Sequence, residues 1–435
     1  MRTTEVGSCL LVLGYVLSPA PALGVEGGAP APAPAPPNDP SAPLQERVDQ
    51  AIASGLRWLR SQASVAGTFG EIKGETNYLG GKDIYDYPAG PTALALYTLL
   101  KCGVPAEDPL VAKGFAWLRS RQQNPGSNYE VAALLLALEA KSDPWKREKD
   151  REKDAKSRLK KGQKLDLGIK PPPEDAAWMK KLVGELQWRR SPKGAWRYGQ
   201  IDPRAPKDLY VMPGADTDMS NTQLALLGLM AAERCGIASP VEVYERALAW
   251  TLDRQESNGP SVARFEPGAA ARPDREVSSI PDRARGWFYV EGGEGRDGKA
   301  SGAMTACGLA NIALARAVLR ERDADVFGKK YAVRAEKAWW DGVAWLQHHW
   351  TVADNPGAGN SYRTYYLYCV ERVGDLTGLH LLGGHDWYTE GATAIVDAQQ
   401  PSGFWKDTSH EPADLLTTCF ALLFLNRATP AVTGE

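Results

Sequence analysis

Two kinds of helix alternate along this chain, and the alternation constrains the fold more than any other feature. The first kind is amphipathic and ends in an aromatic residue followed by a glutamine, as with Trp58 and Gln62 or Trp345 and Gln347. Charged residues fill the rest of its surface, which is typical of a helix with one face in water. Further copies end at Gln122 and Gln255, and two degenerate copies cover residues 178–188 and 387–400.

The second kind of helix is apolar almost all round. Its six copies cover residues 92–100, 131–138, 222–230, 305–318, 364–370 and 417–425. A helix without a polar face must be buried on every side. We therefore predict that these six helices form an inner layer, which the amphipathic helices cover from outside.

The six helix pairs, between residues 45 and 430, predict a closed ring. One outer and one inner helix cannot bury the inner helix alone, so each pair needs neighbours on both sides. Neither terminal pair has a polar capping helix, which favours a ring over an open superhelical stack. The predicted fold is all-α, an α/α toroid of six helical hairpins. β structure is expected to be scarce, because no alternating apolar and polar run is present.

The N-terminus predicts export. Residues 1–24 have the pattern of a signal peptide, with Arg2 before a short apolar core and small residues at Ala20 and Ala22 for cleavage. Residues 25–44 are rich in Ala and Pro, which favours an extended tether. No other run approaches the roughly 18 apolar residues of a membrane-spanning helix. We expect a secreted or periplasmic protein without a transmembrane segment.

Two segments interrupt the helical pattern. Residues 141–173 contain a dense mixed-charge run and predict a solvated insertion. Residues 257–299 form a long loop rich in Gly, Pro and Arg, with Gly292 and Gly293 in a glycine cluster that lacks the context of a phosphate-binding loop. The formal net charge of −2 and the pI of about 6.3 argue against nucleic acid as a partner.

Five cysteines follow the signal peptide, and all lie in apolar helical stretches. They are Cys102, Cys235, Cys307, Cys369 and Cys419. Their number is odd and none forms a CxxC pair, so neither a disulfide framework nor a zinc knuckle is indicated. We expect buried structural thiols, with a metal or redox role as the alternative.

A Gln, Gly, aromatic signature follows several outer helices. Its best copies are Gln187 with Gly194 and Trp196, Gln400 with Gly403 and Trp405, and Gln62 with Gly67 and Phe69. This signature resembles the QW repeat of squalene-hopene cyclases and related toroids of the terpene cyclase and protein prenyltransferase superfamily. The glutamine can bond free backbone groups at the helix end while the aromatic packs beside it, which ties one hairpin to the next.

The same resemblance implies a candidate acid. Squalene cyclases carry an Asp-x-Asp-Asp-Thr motif, whose middle aspartate protonates the substrate. The similar stretch here places Asp218 at the position of the acid and Asp216 at that of a supporting carboxylate, while Met219 replaces the last aspartate. The alternative is that Asp216 and Asp218 cap the inner helix that follows.

The zinc motif of protein prenyltransferases is incomplete. In the similar stretch that begins at Asp414 and ends at Cys419, Thr417 stands where the family has its ligand histidine. The resemblance therefore does not imply a zinc site, and we expect no cofactor or metal.

Residues just before the inner helices should gather at one mouth of the ring. Beside Asp216 and Asp218, the candidate ligand-binding residues are Asp86, Tyr87, Tyr129, Glu130, Tyr362, Arg363, His410 and Asp414. Such a ring of carboxylates and tyrosines could hold a proton donor, a polar ligand group or a divalent cation. It could equally be a set of helix caps.

Three functions follow as hypotheses. The first is a non-catalytic binding or scaffold toroid whose partner is an apolar or polyprenyl small molecule, a glycan or a protein. The second is a class II terpene cyclase-like enzyme with Asp218 as general acid. The third is a glycan hydrolase or lyase that uses two carboxylates at the mouth.

Overall fold

The computed structural model describes residues 41–70, 72–78, 81–87, 89–120, 127–143, 165–197, 217–265, 281–290, 299–359, 362–406 and 414–429; between residues 72 and 87 it describes the backbone alone. The expected signal peptide and nearly all of the tether lie outside these residues. So do residues 144–164 of the charged insertion and residues 266–280 and 291–298 of the long loop.

The described residues contain twelve principal helices in six hairpins. In chain order they are α1 (Leu44–Ser61), α2 (Ala89–Lys101), α3 (Pro109–Ser120), α4 (Asn128–Ser142), α5 (Pro173–Arg189), α6 (Met219–Arg234), α7 (Val241–Asp253), α8 (Gly302–Arg322), α9 (Ala332–His348), α10 (Arg363–Thr377), α11 (Trp387–Asp397) and α12 (Asp414–Leu425). A short helix, Ala324–Val326, and a π-helical turn, Phe327–Tyr331, precede α9. Odd-numbered helices are outer and even-numbered helices are inner.

The inner helices close a ring. Each packs on the next, from α2 through α4, α6, α8 and α10 to α12, and α12 packs on α2. Nearly every residue of α6 and α8 is buried, as expected for helices without a polar face. The prediction of an α/α toroid is confirmed.

Among the described helices, α8 is the one long and apolar enough to cross a membrane, and its most apolar stretch is entirely buried among the other helices. This burial is what the inner ring of a toroid requires.

Two strand pairs supplement the helices within the described residues. Strands β1 (Ile72–Tyr78) and β2 (Gly81–Tyr87) form an antiparallel hairpin between α1 and α2. Strands β3 (Ser261–Val262) and β4 (Asp282–Arg283) form a two-residue pair in the long loop. The first hairpin was not foreseen, because its strands are mostly polar and carry no alternating apolar face.

The tryptophan of the repeat connects the outer and inner helices of a hairpin by hydrogen bonds, as Trp196 and Trp405 show. The ring nitrogen of Trp196 donates to the Leu186 carbonyl of α5 at 2.7 Å, and its backbone N–H donates to Thr222 Oγ1 of α6 at 3.2 Å. Trp405 repeats this pattern with the Ile395 carbonyl of α11 at 2.7 Å and Thr418 Oγ1 of α12 at 3.1 Å. The aromatic of the repeat therefore joins the two helices within a hairpin.

The glycine of the repeat makes the contact between hairpins. Gly194 and Gly403 both have φ of +97°, which favours glycine. A Cβ on Gly194 would lie 2.6 Å from Arg246 Cβ of α7, and a Cβ on Gly403 would lie 2.6 Å from the Ser54 carbonyl oxygen of α1. Since α1 belongs to the first hairpin, the turn at Gly403 closes the ring.

The glutamine of the repeat also reaches the next hairpin, in a register the sequence only partly predicts. Gln255 Nε2 donates to the Ala338 carbonyl of α9 at 2.8 Å. In the sixth hairpin the amide that reaches α1 belongs to Gln399, which donates to the Ala51 carbonyl at 2.9 Å, while Gln400 bonds only locally to Ala398. The expected inter-hairpin role thus moves to the preceding residue there.

The C-terminal ends of the inner helices are joined by ion pairs whose carboxylates are buried. Arg234 of α6 donates through Nη2 to Glu139 of α4 at 2.9 Å, and Arg322 of α8 pairs with Glu233 of α6. After α12, Arg427 returns to Asp375 of α10 at 2.6 Å. These pairs fix the spacing of the inner helices at one end of the ring.

Candidate functional site

Asp218 is the N-cap of α6 and is only 1% exposed. Its Oδ1 accepts hydrogen bonds from the Asn221 backbone N–H at 2.8 Å and from Ser220 Oγ at 2.9 Å, and its Oδ2 accepts from Asn221 Nδ2 at 2.7 Å. All three donors belong to the first turn of the same helix. Burial raises the pKa of Asp218 to about 6, although these hydrogen bonds act to lower it.

Met219 occupies the position where the squalene cyclase motif has its last aspartate. Its side chain is fully buried, and its sulfur accepts a hydrogen bond from Asn311 Nδ2 of α8 at 3.3 Å. The side chain next to Asp218 is therefore a packed thioether. Asp216, the other candidate carboxylate, lies outside the described residues.

Tyr129 and Glu130 both lie in the first turn of α4 and link it to neighbouring inner helices. The Tyr129 hydroxyl lies 2.6 Å from Ser220 Oγ, which extends the hydrogen-bonded group around Asp218 to α4. Glu130 forms a capping box with Ser127 and also accepts from the Ala89 backbone N–H of α2 at 2.8 Å. Glu130 thus caps two inner helices at once.

The other predicted residues of the mouth lie at the starts of α10 and α12, in β2 or outside the described residues. Tyr362, with φ of +61°, precedes α10, and Asp414 begins α12. Arg363 donates to the carbonyl of Val352 at 2.7 Å and to that of Ala394 in α11 at 3.1 Å. These hydrogen bonds connect the start of α10 to a loop and to an outer helix. Asp86 and Tyr87 lie in β2, where only the backbone is described, and His410 lies outside the described residues.

A second group of polar residues lies inside the ring, beyond the first turns of the inner helices. Arg372 of α10 is 1% exposed, and it donates through Nη1 to Gln223 Oε1 of α6. Helix α8 stands between α6 and α10 in the ring. The Arg372 side chain therefore spans the interior in front of α8.

One aromatic ring stacks on this guanidinium, and further rings pack beside it. The Arg372 guanidinium carbon lies 3.8 Å from the ring centroid of Tyr368, one turn earlier on α10. Phe420 of α12 packs against both Tyr365 and Tyr368, with centroids 5.3 Å apart in each case. Burial raises the pKa of Tyr368, so this hydroxyl stays neutral and supplies no negative charge to Arg372.

Two thiols lie beside this group. Cys307 Sγ of α8 is 3.7 Å from Cys369 Sγ of α10 and 3.8 Å from the Tyr365 hydroxyl. Burial raises the pKa of Cys307 well above its usual value. None of these five cysteines forms a disulfide within the described residues; Cys102 is partly exposed and the other four are buried, which fits the expected structural thiols. In the part of the chain that the structure describes, no three His, Cys, Asp or Glu side chains are grouped as metal ligands.

Arg372 and Gln223 were not predicted from the sequence as site residues, because the predicted site residues all lie at or just before helix starts. A signal was nevertheless present. An arginine that continues an inner helix without a polar face has no route to water, so it must be buried among other inner helices.

Comparisons with known proteins give matches in structure only. No protein-family model matches the chain. No curated protein matches it either. Similar solved structures include the type II terpene cyclase MstE from Scytonema without ligand, at 12% identity and a TM-score of 0.47, covering 88% of this chain and 99% of that one.

Two further structures are similar to the same extent. A variant of that Scytonema cyclase in complex with geranylgeranyl dihydroxybenzoate has 13% identity and a TM-score of 0.48, with 89% and 98% covered. The α-1,6-mannanase GH76A from Salegentibacter sp. HEL1_6 has 10% identity and a TM-score of 0.48, with 89% and 99% covered. These proteins are α/α toroids. The toroid assignment of this chain rests on its own closed ring of inner helices.

Proposed function

We propose that this chain is an exported, non-catalytic α/α toroid that binds a small organic ligand inside its ring. The observation that carries the proposal is the state of Asp218, whose two oxygens accept three hydrogen bonds from the first turn of their own helix. This is the arrangement of a helix cap. The second carboxylate of an acid motif is replaced by the buried side chain of Met219.

An acid strong enough to protonate an alkene must stay neutral until the reaction and gain stabilisation only as it ionises. In this toroid three donors already stabilise the Asp218 carboxylate before any reaction. The geometry therefore favours helix capping over proton donation.

The interior also opposes carbocation chemistry. Arg372 places a permanent positive charge within the ring. A carbocation about 5 Å away would be repelled by roughly 3 kcal/mol at an effective dielectric constant of about 20. An interior with a fixed cation and several aromatic faces suits a bound ligand better than a cationic intermediate.

The second candidate function is a class II cyclase-like enzyme with Asp218 as general acid. The observation in its favour is that burial raises the pKa of Asp218 to about 6, which increases the protonated fraction near neutral pH. This candidate and the binding toroid differ in what Asp218→Asn does to product formation.

The test combines a cyclisation assay with ligand analysis. Mature protein and Asp218→Asn are incubated with geranylgeranyl and squalene-type alkenes and epoxides, and the products are analysed by gas chromatography and mass spectrometry. Native mass spectrometry of the purified protein, followed by denaturation, detects any co-purifying small molecule. We expect a released ligand and no cyclised product from either protein. A cyclised product formed by the wild type and absent with Asp218→Asn would establish the cyclase instead.

A further inference from the structure

We infer that the ring interior contains a subsite for an anionic oxygen group, a carboxylate or phosphate carried on an apolar tail, and that Arg372 and Gln223 form it. The inference names the ligand class of the proposed binding function and depends on that function.

Arg372 is buried, yet among the described residues no carboxylate lies within ion-pair distance of its guanidinium. A buried charge is normally paired, because removal from water is costly without compensation. Arg234, equally buried in the same ring, has the bidentate partner Glu139. Arg372 lacks such a partner, so its positive charge is not neutralised by a carboxylate among the described residues.

The nearest carboxylates along the chain are engaged elsewhere. Glu371 accepts hydrogen bonds from the Thr429 backbone N–H at 3.0 Å and from Thr429 Oγ1 at 2.9 Å. Asp375 pairs with Arg427. Both carboxylates are thus bonded to the segment that follows α12, and neither forms an ion pair with Arg372 among the described residues.

Arg372 Nε and Gln223 Nε2 are both buried and have no hydrogen-bond partner among the described residues. The two side chains are joined, since Gln223 Oε1 accepts from Arg372 Nη1. Gln223 is thereby oriented with its oxygen toward the cation and its NH₂ group left free. A bound anionic oxygen would supply the acceptor that each donor lacks.

Aromatic rings and thiols lie on one side of this pair. Tyr368 stacks on the guanidinium, Phe420 packs against both Tyr365 and Tyr368, and the Cys307 sulfur lies beside the Tyr365 hydroxyl and the Cys369 sulfur. Such walls favour an apolar body over a fully hydrated ion. The ligand class is therefore an amphipathic organic anion, and the experiment below separates carboxylates from phosphates.

The test compares acids with neutral molecules of equal length. Binding of acetate, octanoate, tetradecanoate and octyl phosphate to the mature protein is measured by calorimetry beside octanol, tetradecanol and inorganic phosphate. We expect octanoate, tetradecanoate or octyl phosphate to bind at least about tenfold more tightly than the alcohol of the same length. Arg372→Gln should remove that difference and leave alcohol binding unchanged.

A second variant supplies the counterion from within the protein. Gln223→Glu places a carboxylate on Arg372, so it should lower the affinity for the acids at least about tenfold and raise the Tm of the ligand-free protein by about 2 °C or more. Asn311→Asp is the matched control, because it makes the same amide-to-acid change at another buried inner-helix position that has no arginine partner among the described residues. We expect this control to lower the Tm.

The outcomes separate the two proposals. If no tailed compound binds to the wild type, the binding function itself fails. If the alcohols bind as tightly as the acids, only the anion subsite fails. If Gln223→Glu lowers the Tm as Asn311→Asp does, Arg372 already has a counterion and the inference is wrong. Because Gln223→Glu keeps the arginine, this last outcome does not depend on whether Arg372→Gln folds.

Discussion

Two buried arginines of the same ring are in opposite electrostatic situations. Arg234, near the C-terminal end of α6, meets Glu139 of α4 through two hydrogen bonds. Arg372 of α10 meets an amide oxygen of α6 and an aromatic face. The first region is complete without any other molecule and joins neighbouring helices. The second retains a charge and hydrogen-bond donors that the described residues do not satisfy. Burial of a charged side chain therefore does not distinguish a structural contact from a binding site. The presence or absence of an oppositely charged partner does.

The largest expected effect comes from breaking the complete pair. Glu139→Gln would leave Arg234 buried without a carboxylate, and we expect the free energy of unfolding to fall by about 3–5 kcal/mol. Denaturant unfolding followed by circular dichroism measures it. Glu242→Gln, which removes the exposed Arg246 pair on α7, is the control and should change stability by less than about 1 kcal/mol. Equal effects from the two substitutions would contradict the contrast between buried and exposed pairs.

The buried carboxyl group of Asp218 is expected to make the stability of the protein depend on pH. Its folded pKa of about 6 lies above the ordinary value of 3.8, so it binds a proton more tightly in the folded state. The associated stability is present below about pH 4 and is lost as the pH rises through 6, amounting to on the order of 3 kcal/mol. Asp218→Asn has no such titration.

The measurement is the difference in free energy of unfolding between wild type and Asp218→Asn at pH 4 and at pH 7. The wild type should lose on the order of 3 kcal/mol relative to the variant over this interval. A difference that does not change with pH would show that the Asp218 carboxyl titrates normally despite its burial.

The smallest effect is expected at the incomplete site. Arg372→Met replaces an unpaired buried cation by an apolar side chain of similar length, and we expect the ligand-free protein to stay within about 1 kcal/mol of wild type or to become more stable. Unfolding of the two proteins, after removal of any bound small molecule, tests this directly. A loss as large as that of Glu139→Gln would mean that Arg372 is a structural residue with a partner of its own.

The fold was predictable because its signal is repeated. Each apolar run of an inner helix lies within a helix of the structure, although the helices begin earlier, as α6 does at Met219. The apolar pattern does not include the first turn of each inner helix, because that turn is polar. Its free backbone N–H groups are satisfied by capping side chains. At the mouth, Glu130 and Asp218 were correctly identified as possible caps, and the structure shows both in that arrangement.

The interior group was not predictable in the same way. Gln223 and Arg372 are 149 residues apart in the chain, and nothing local to either sequence indicates the other. Likewise, the choice of Gln399 over Gln400 for the contact with α1 depends on how the sixth turn is rotated against the first hairpin. Such contacts follow from the three-dimensional closure of the ring.

By itself, the sequence determined that six apolar helices must be buried beneath six amphipathic helices, because a helix without a polar face cannot remain exposed to water. Only the tertiary structure decided which buried charges are neutralised. A long side chain on an inner helix can reach several neighbours, and closure of the ring gave Arg234 a carboxylate and Arg372 an amide. The physical reason is that ion pairing depends on which helix faces meet across the interior, while helix burial depends only on the residues of the helix itself.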